Sequence, residues 1–334
     1  MLVSKLVFAK MTLYTLQLLR FIAALLVLFF HLGLVHSGYK GVDVFFVISG
    51  FVMYYTLFCR PRPKALKFIV NRFTKIYLLY WIALIALLII KPFSLNASFF
   101  RTFLLFPGHD SVLGVSWSLS FELYFYLLIG SVVYLIADRF HKLIFVTFFL
   151  ISTFITFANL TSFTLKGSAL NFLLGPNFWE FLLGVICAFL LSGPYKSISW
   201  AISLSGAILS MVFLFLIFIP YNTPTSYIVY GLISGLVVFF CTAFEKKKPI
   251  SKKVSQLFKV LGDASYAIYL FGPIITISIG VSDNASKTVI IVLTIAFSIL
   301  VNQVLENSIL NWSRHILLNR MFASNAVLSE SSKK

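Results

Sequence analysis

The sequence predicts an all-α protein, a polytopic transmembrane helix bundle of about ten spans with both termini cytoplasmic. Three observations point there. Of the 334 residues, 60% are hydrophobic and only 11% are charged, whereas a soluble domain carries about 25% charged residues. The apolar residues gather into runs near the roughly 20 residues that a bilayer requires. The basic residues fall almost entirely between alternate runs, so the net charge of +17 reads as a topology signal and not as affinity for nucleic acid.

Hydropathy places the spans at 12–34, 41–58, 74–91, 114–136, 143–160, 171–191, 198–219, 226–244, 258–280 and 288–305. With the N-terminus inside, Lys40, Lys91, Arg101, Lys166 and Lys287 fall outside and Arg20 lies within span 1. The other twenty-one of the 27 lysines and arginines fall inside. Dropping one span would invert half of the loops and abolish that asymmetry. The first apolar run is too long for a cleavable signal peptide and contains Arg20. Cys59, Cys187 and Cys241 are odd in number and scattered, with neither a disulfide framework nor zinc spacing. No internal repeat stands out, and residues 1–334 are expected to form a single membrane domain with no appended soluble domain.

Span 1 runs outward, with Arg20 in its inner half and His31 near its outer mouth. A cation near the middle of a membrane helix costs about 2.5–3.5 kcal/mol on insertion scales and normally faces a bundle interior or a wet cavity. Eleven residues separate Arg20 from His31, about 16 Å of rise and close to three turns, so both lie on one face. Span 2 starts outside and brings Asp43 to the same mouth. His31 is the only histidine within a span, and its setting suits either an interhelical hydrogen bond or a general base.

Span 3 opens beside Arg72 and Lys75 in a basic inner stretch. This stretch is either a lipid anchor or a site for a phosphate-rich ligand. Span 4 carries Ser116, Trp117 and Glu122 in its outer-to-middle layer. Asp43 and Glu122 either neutralise Arg20 and His31 or orient the His31 imidazole. The segment Lys91–Val115, with His109 and Asp110, is long enough to roof an outer opening. In span 6, Gly175 and Gly184 permit close helix approach, as do Gly50 in span 2 and Gly262 in span 9. Spans 5, 7, 8 and 10 carry no further constellation. Span 9 runs outward from Gly262 and Asp263 past Ser265, Tyr266 and Tyr269.

Several stretches together resemble the acyltransferase-3 family of integral-membrane O-acyltransferases. Arg20 and His31 with ten residues between them are followed by Gly41-Val42-Asp43-Val44-Phe45-Phe46-Val47-Ile48-Ser49-Gly50-Phe51. Then come Arg72-Phe73-Thr74-Lys75, Ser116-Trp117-Ser118-Leu119-Ser120-Phe121-Glu122, Phe178-Trp179-Glu180 and Leu261-Gly262-Asp263-Ala264-Ser265-Tyr266. The chain departs from the family pattern in having Lys75 where a second arginine is usual. It also has Phe271-Gly272 where many members carry a histidine.

The resemblance implies transfer of an acyl group, acetyl by preference, from cytosolic acetyl-CoA or another acyl-CoA. The acceptor would be a hydroxyl of a carbohydrate: exopolysaccharide, O-antigen or a lipid-linked sugar. It implies a bacterial plasma membrane location within the lipid bilayer, the acyl-CoA being a substrate and not a bound cofactor. The catalytic group is then expected to be His31, with Arg20, Asp43 and Glu122. The donor is expected to lie against Arg72, Lys75, Ser116, Trp117 and Tyr266. A secondary transporter of a polysaccharide precursor is the alternative, although it would be expected to show paired repeats.

Overall fold

In a computed structural model, residues 13–91, 97–106, 112–160, 169–193, 198–220 and 223–304 are described. They form α1 (Tyr14–His31), α2 (Gly41–Tyr54, continued by a π-helical turn at Tyr55–Cys59) and α3 (Ala65–Ile90). After these come the short α4 (Ala97–Phe103), α5 (Ser116–Leu135), α6 (Asp138–Ala158), the short α7 (Ala169–Leu174) and α8 (Pro176–Ser192). The last four are α9 (Trp200–Leu216), α10 (Pro224–Lys247), α11 (Lys252–Ile279) and α12 (Asn284–Val301). Among the described residues, nine helices are long and apolar enough to cross a membrane, and α9 is a further apolar helix of 17 residues. The fold is a helical membrane bundle.

The spans expected from hydropathy find their helices, with differences at the ends. Span 3 starts at Ala65 and not at 74, so Lys67, Arg72 and Lys75 ride on the first turns of α3. Pro61 and Pro63 hold the preceding chain out of helix, and helix begins as soon as they are passed. Lys67 is exposed, Phe68 is buried, and Arg72 and Lys75 turn toward the interior of the bundle. Span 6 is interrupted at Gly175, with Pro176 restarting the helix at its first position. In α11 the helix continues through Pro273. The Phe271 that replaces a possible histidine packs edge-to-face on Phe297 of α12, with ring centroids 5.1 Å apart.

Two packings set the walls of the bundle. α1 lies along α11, and α2 crosses α8. A Cβ on Gly50 would lie 1.8 Å from the Phe181 carbonyl oxygen, and one on Gly184 would lie 1.9 Å from that of Val47. Only glycine permits this contact of two backbones, as in close membrane crossings generally. Gly262 likewise leaves room for Gln17 of α1, whose Cβ would be 2.4 Å from an added methyl.

The expected roof folds back instead. Tyr80 donates to the Thr102 carbonyl at 2.5 Å, Tyr77 to that of Leu104 at 2.8 Å, and Trp81 Nε1 to that of Phe103 at 3.1 Å. Tyr77 lies thirteen residues before Ile90, about 20 Å of helix rise. The stretch 97–106 therefore descends beside the middle of α3, with its carbonyls satisfied by side chains as the interior of a membrane demands. His109 and Asp110 lie outside the described residues.

Gly50→Ala should lower the melting temperature in detergent by at least what overpacking of about 1–3 kcal/mol implies, because the obstructing atom is backbone. Gly114→Ala, where nothing lies within 4 Å of the added methyl, should melt as the wild type does. Equal melting of all three would contradict the crossing.

Candidate active site

Five helices enclose an open cavity of about 850 Å³, counting its mouth. Arg20 comes from α1, Arg72 and Lys75 from α3, Glu122 and Tyr126 from α5, and Tyr266 and Tyr269 from α11. α2 contributes a continuous wall from Val42 through Phe45 and Ser49 to Val52, ten residues or about 15 Å of rise. That length nearly matches the 16 Å between Arg20 and His31 on α1. The cavity therefore runs from the level of Arg72 toward the end of the bundle at which α1 finishes in His31.

Each side chain is placed by its helix. Arg72 and Lys75 are one turn apart on α3, so both face inward. Glu122 and Tyr126 are four apart on α5, and the Tyr126 hydroxyl donates to Glu122 Oε1. Ser49 of α2 donates to the same oxygen at 3.0 Å. Tyr266 donates to the Ile76 carbonyl at 2.8 Å, which ties α11 to α3 at the cavity wall. The Tyr269 hydroxyl lies 2.7 Å from Ser118 Oγ and 3.0 Å from the Val115 carbonyl, which ties α11 to α5.

Among the described residues, the lining holds three cations and one carboxylate, and Glu122 accepts from the hydroxyls of Ser49 and Tyr126. Arg72 stacks its guanidinium on Tyr126 at 4.7 Å and on Phe68 at 5.7 Å. Neither Arg20 nor Arg72 makes a hydrogen bond or ion pair with any other described residue. Two guanidiniums, each with five N–H donors, thus open into a cavity at membrane depth. Such an arrangement suits an anion, or an oxygen on which negative charge develops.

Of the residues singled out in the sequence, Arg20, Arg72, Lys75, Glu122 and Tyr266 line this one cavity. His31, Asp43, Ser116 and Trp117 are not among its lining. His31 is exposed, its ring edge-on to Phe30 at 5.6 Å, and it bonds no other described residue. Ser116 is buried against Tyr80. Trp117 stands in an aromatic cluster, edge-on to Phe46 at 6.1 Å.

Asp43 corrects the expectation that it orients His31. It is buried, and its carboxyl sits against Glu180 of α8, with Lys40 close enough to act on it. Glu180 Oε1 has no hydrogen-bond partner among the described residues. Lys40, expected in an outer loop, is itself buried. It donates to the carbonyls of Leu214 and Ile217 at 2.8 and 2.6 Å, at the end of α9, where a cation favours the helix dipole.

Tyr126, Ser49, Ser118 and Tyr269 also line the cavity, although none of them was expected to be a site residue. The four-residue spacing of Glu122 and Tyr126 was a usable signal for one of them. The Ser49 and Ser118 contacts join distant helices and have no local signature.

Compared with known proteins, the chain matches the family model described as an acyltransferase domain over residues 13–306. No curated protein and no solved structure matches it.

Tyr126→Phe removes a donor to a carboxylate, a contact worth about 1.5–3 kcal/mol. It should lower the melting temperature in detergent clearly more than Tyr124→Phe, whose hydroxyl is partly exposed and bonds the Leu173 carbonyl at 3.0 Å. An equal or smaller shift for Tyr126→Phe would show that the Glu122 contact contributes nothing.

Proposed function

Since the chain belongs to the acyltransferase-3 family and is a multi-pass membrane acyltransferase, we propose that it transfers an acyl group, acetyl by preference, from cytosolic acyl-CoA to a hydroxyl of a surface carbohydrate or its lipid-linked precursor. The bacterial plasma membrane is the proposed location. The observation that carries this reading is the cavity that runs along α2 from Arg72 toward the His31 end of the bundle, with two guanidiniums that have no ion-pair partner among the described residues.

In this reading the basic loops are cytoplasmic, and Arg72 and Lys75 receive the phosphates of the donor, the first as a planar fork and the second as a point charge. The acyl-bearing arm extends along the α2 wall past Arg20. At the far end, His31 takes the proton of the acceptor hydroxyl, whose oxygen attacks the thioester carbonyl. The negative charge that develops on the carbonyl oxygen is balanced by a guanidinium, Arg20 being the one on the same helix. Collapse of the adduct expels the CoA thiolate and leaves the ester. In a two-step version the imidazole carries the acyl group before the hydroxyl does. Glu122, held by Ser49 and Tyr126, limits the positive charge of the cavity without occupying its guanidiniums. Ser116, Trp117 and Tyr266 fix the helices that frame the donor.

Inverted membrane vesicles given radiolabelled acetyl-CoA test the proposal. Label should enter a glycan or lipid-sugar fraction with the wild type and fall at least a hundredfold with His31→Ala, general base catalysis contributing about 10²–10⁴. Arg20→Ala should also lose transfer. Equal labelling by all three, with the proteins inserted in equal amounts, would remove His31 and Arg20 from the chemistry.

A further inference from the structure

A second open groove, of about 1080 Å³ counting its open side, lies on the opposite side of α2, between α2, α6 and α8. Its lining is sorted by polarity along its length. Arg62, Asp138, His141 and Lys142 stand together at one end, where α2 has finished and α6 begins. From there Phe145 and Phe149 of α6 and Leu182 and Ile186 of α8 continue an apolar trough. Asp138 to Phe149 is eleven residues, about 16 Å of helix. Tyr54 and Phe58 of α2, stacked at 5.0 Å, floor the groove near its polar end.

The polar end is cationic. Arg62 is partly offset by Asp138 at 3.0 Å, but it lines the groove, is a third exposed and keeps N–H donors for a second anion. The exposed Lys142 forms no ion pair among the described residues. His141 has its Nε2 against the Ile136 carbonyl at 2.9 Å and its Nδ1 3.7 Å from Asp138. A concave surface on membrane-spanning helices, apolar along most of its length and positive at one end, complements an amphiphile with an anionic head. We propose that this groove binds a bilayer lipid with a phosphate-bearing anionic headgroup, its phosphate at Lys142 and Arg62 and one acyl chain along Phe145, Phe149 and Ile186. Attraction of anionic lipid to basic residues at the membrane surface favours the same occupant, and the site is separate from the donor cavity.

Native mass spectrometry of the purified protein, titrated in detergent with equimolar phosphatidylglycerol and phosphatidylcholine, tests it. The wild type should retain phosphatidylglycerol several-fold over phosphatidylcholine. Arg62→Gln with Lys142→Gln should bring the ratio to about one. Val146→Trp, which fills the trough from an exposed position without disturbing the core, should reduce retention of both lipids. Equal retention of the two lipids by the wild type would overturn the proposal, as would a preference unchanged in the double variant. Displacement of phosphatidylglycerol by millimolar inorganic phosphate, with Val146→Trp without effect, would show a bare phosphate site and overturn it equally.

Discussion

The constraint from which the architecture follows is the cost of a charge at membrane depth. Arg20 lies in the middle of an apolar helix, and a cation there must face the bundle interior or a wet cavity. α1 therefore turns its Arg20 side to α2, α3, α5 and α11, and these helices form a wall around a polar space without closing it. The Gly50–Gly184 crossing holds α2 against α8. The tyrosine bonds of α11 hold the remaining helices, Tyr266 to α3 and Tyr269 to α5.

Buried charge in this protein falls into two kinds, and the distinction separates support from chemistry. Glu245 of α10 accepts the backbone N–H groups of Tyr14 and Thr15 at 2.8 Å each, as well as the Thr15 hydroxyl at 2.7 Å, and so caps the start of α1. Lys40 closes the end of α9, and Asp43 is buried against Glu180. At the solvated end of the bundle, Asp283 caps α12, and the Ser286 N–H that it accepts holds its carboxyl below the usual range. These groups are occupied by the fold. Arg20 and Arg72 have no such partner among the described residues, and guanidinium donors facing a cavity are what a ligand anion or a developing oxyanion would use.

The bundle was legible in the sequence because membrane insertion writes itself as long apolar runs and one-sided basic loops. Helix ends were less so. The basic first turns of α3 read as loop, since hydropathy counts Lys67, Arg72 and Lys75 as polar when their stems lie along the helix. Arg20, Arg72, Lys75 and Glu122, which line one cavity, were legible as candidates because charges have no other evident reason to be near spans. Asp43 was assigned to His31 because both mark the same mouth, yet its partner Glu180 lies 137 positions along the chain and only packing brings them together. The hydroxyls around Glu122 were hidden for the same reason, as was the return of residues 97–106 alongside α3.

If Arg72 receives the donor phosphates as proposed, equilibrium binding of radiolabelled CoA to the purified protein, compared with Arg72→Gln and Arg20→Gln, shows it most directly, because no acceptor and no turnover are needed. The account predicts saturable binding by the wild type and a loss of at least tenfold in Arg72→Gln, a contact to a charged group being worth about 1.5–3 kcal/mol. A smaller loss is expected in Arg20→Gln, which acts chiefly at the carbonyl. CoA affinity unchanged in both variants, with the melting temperature also unchanged, would contradict the assignment of this cavity to the donor.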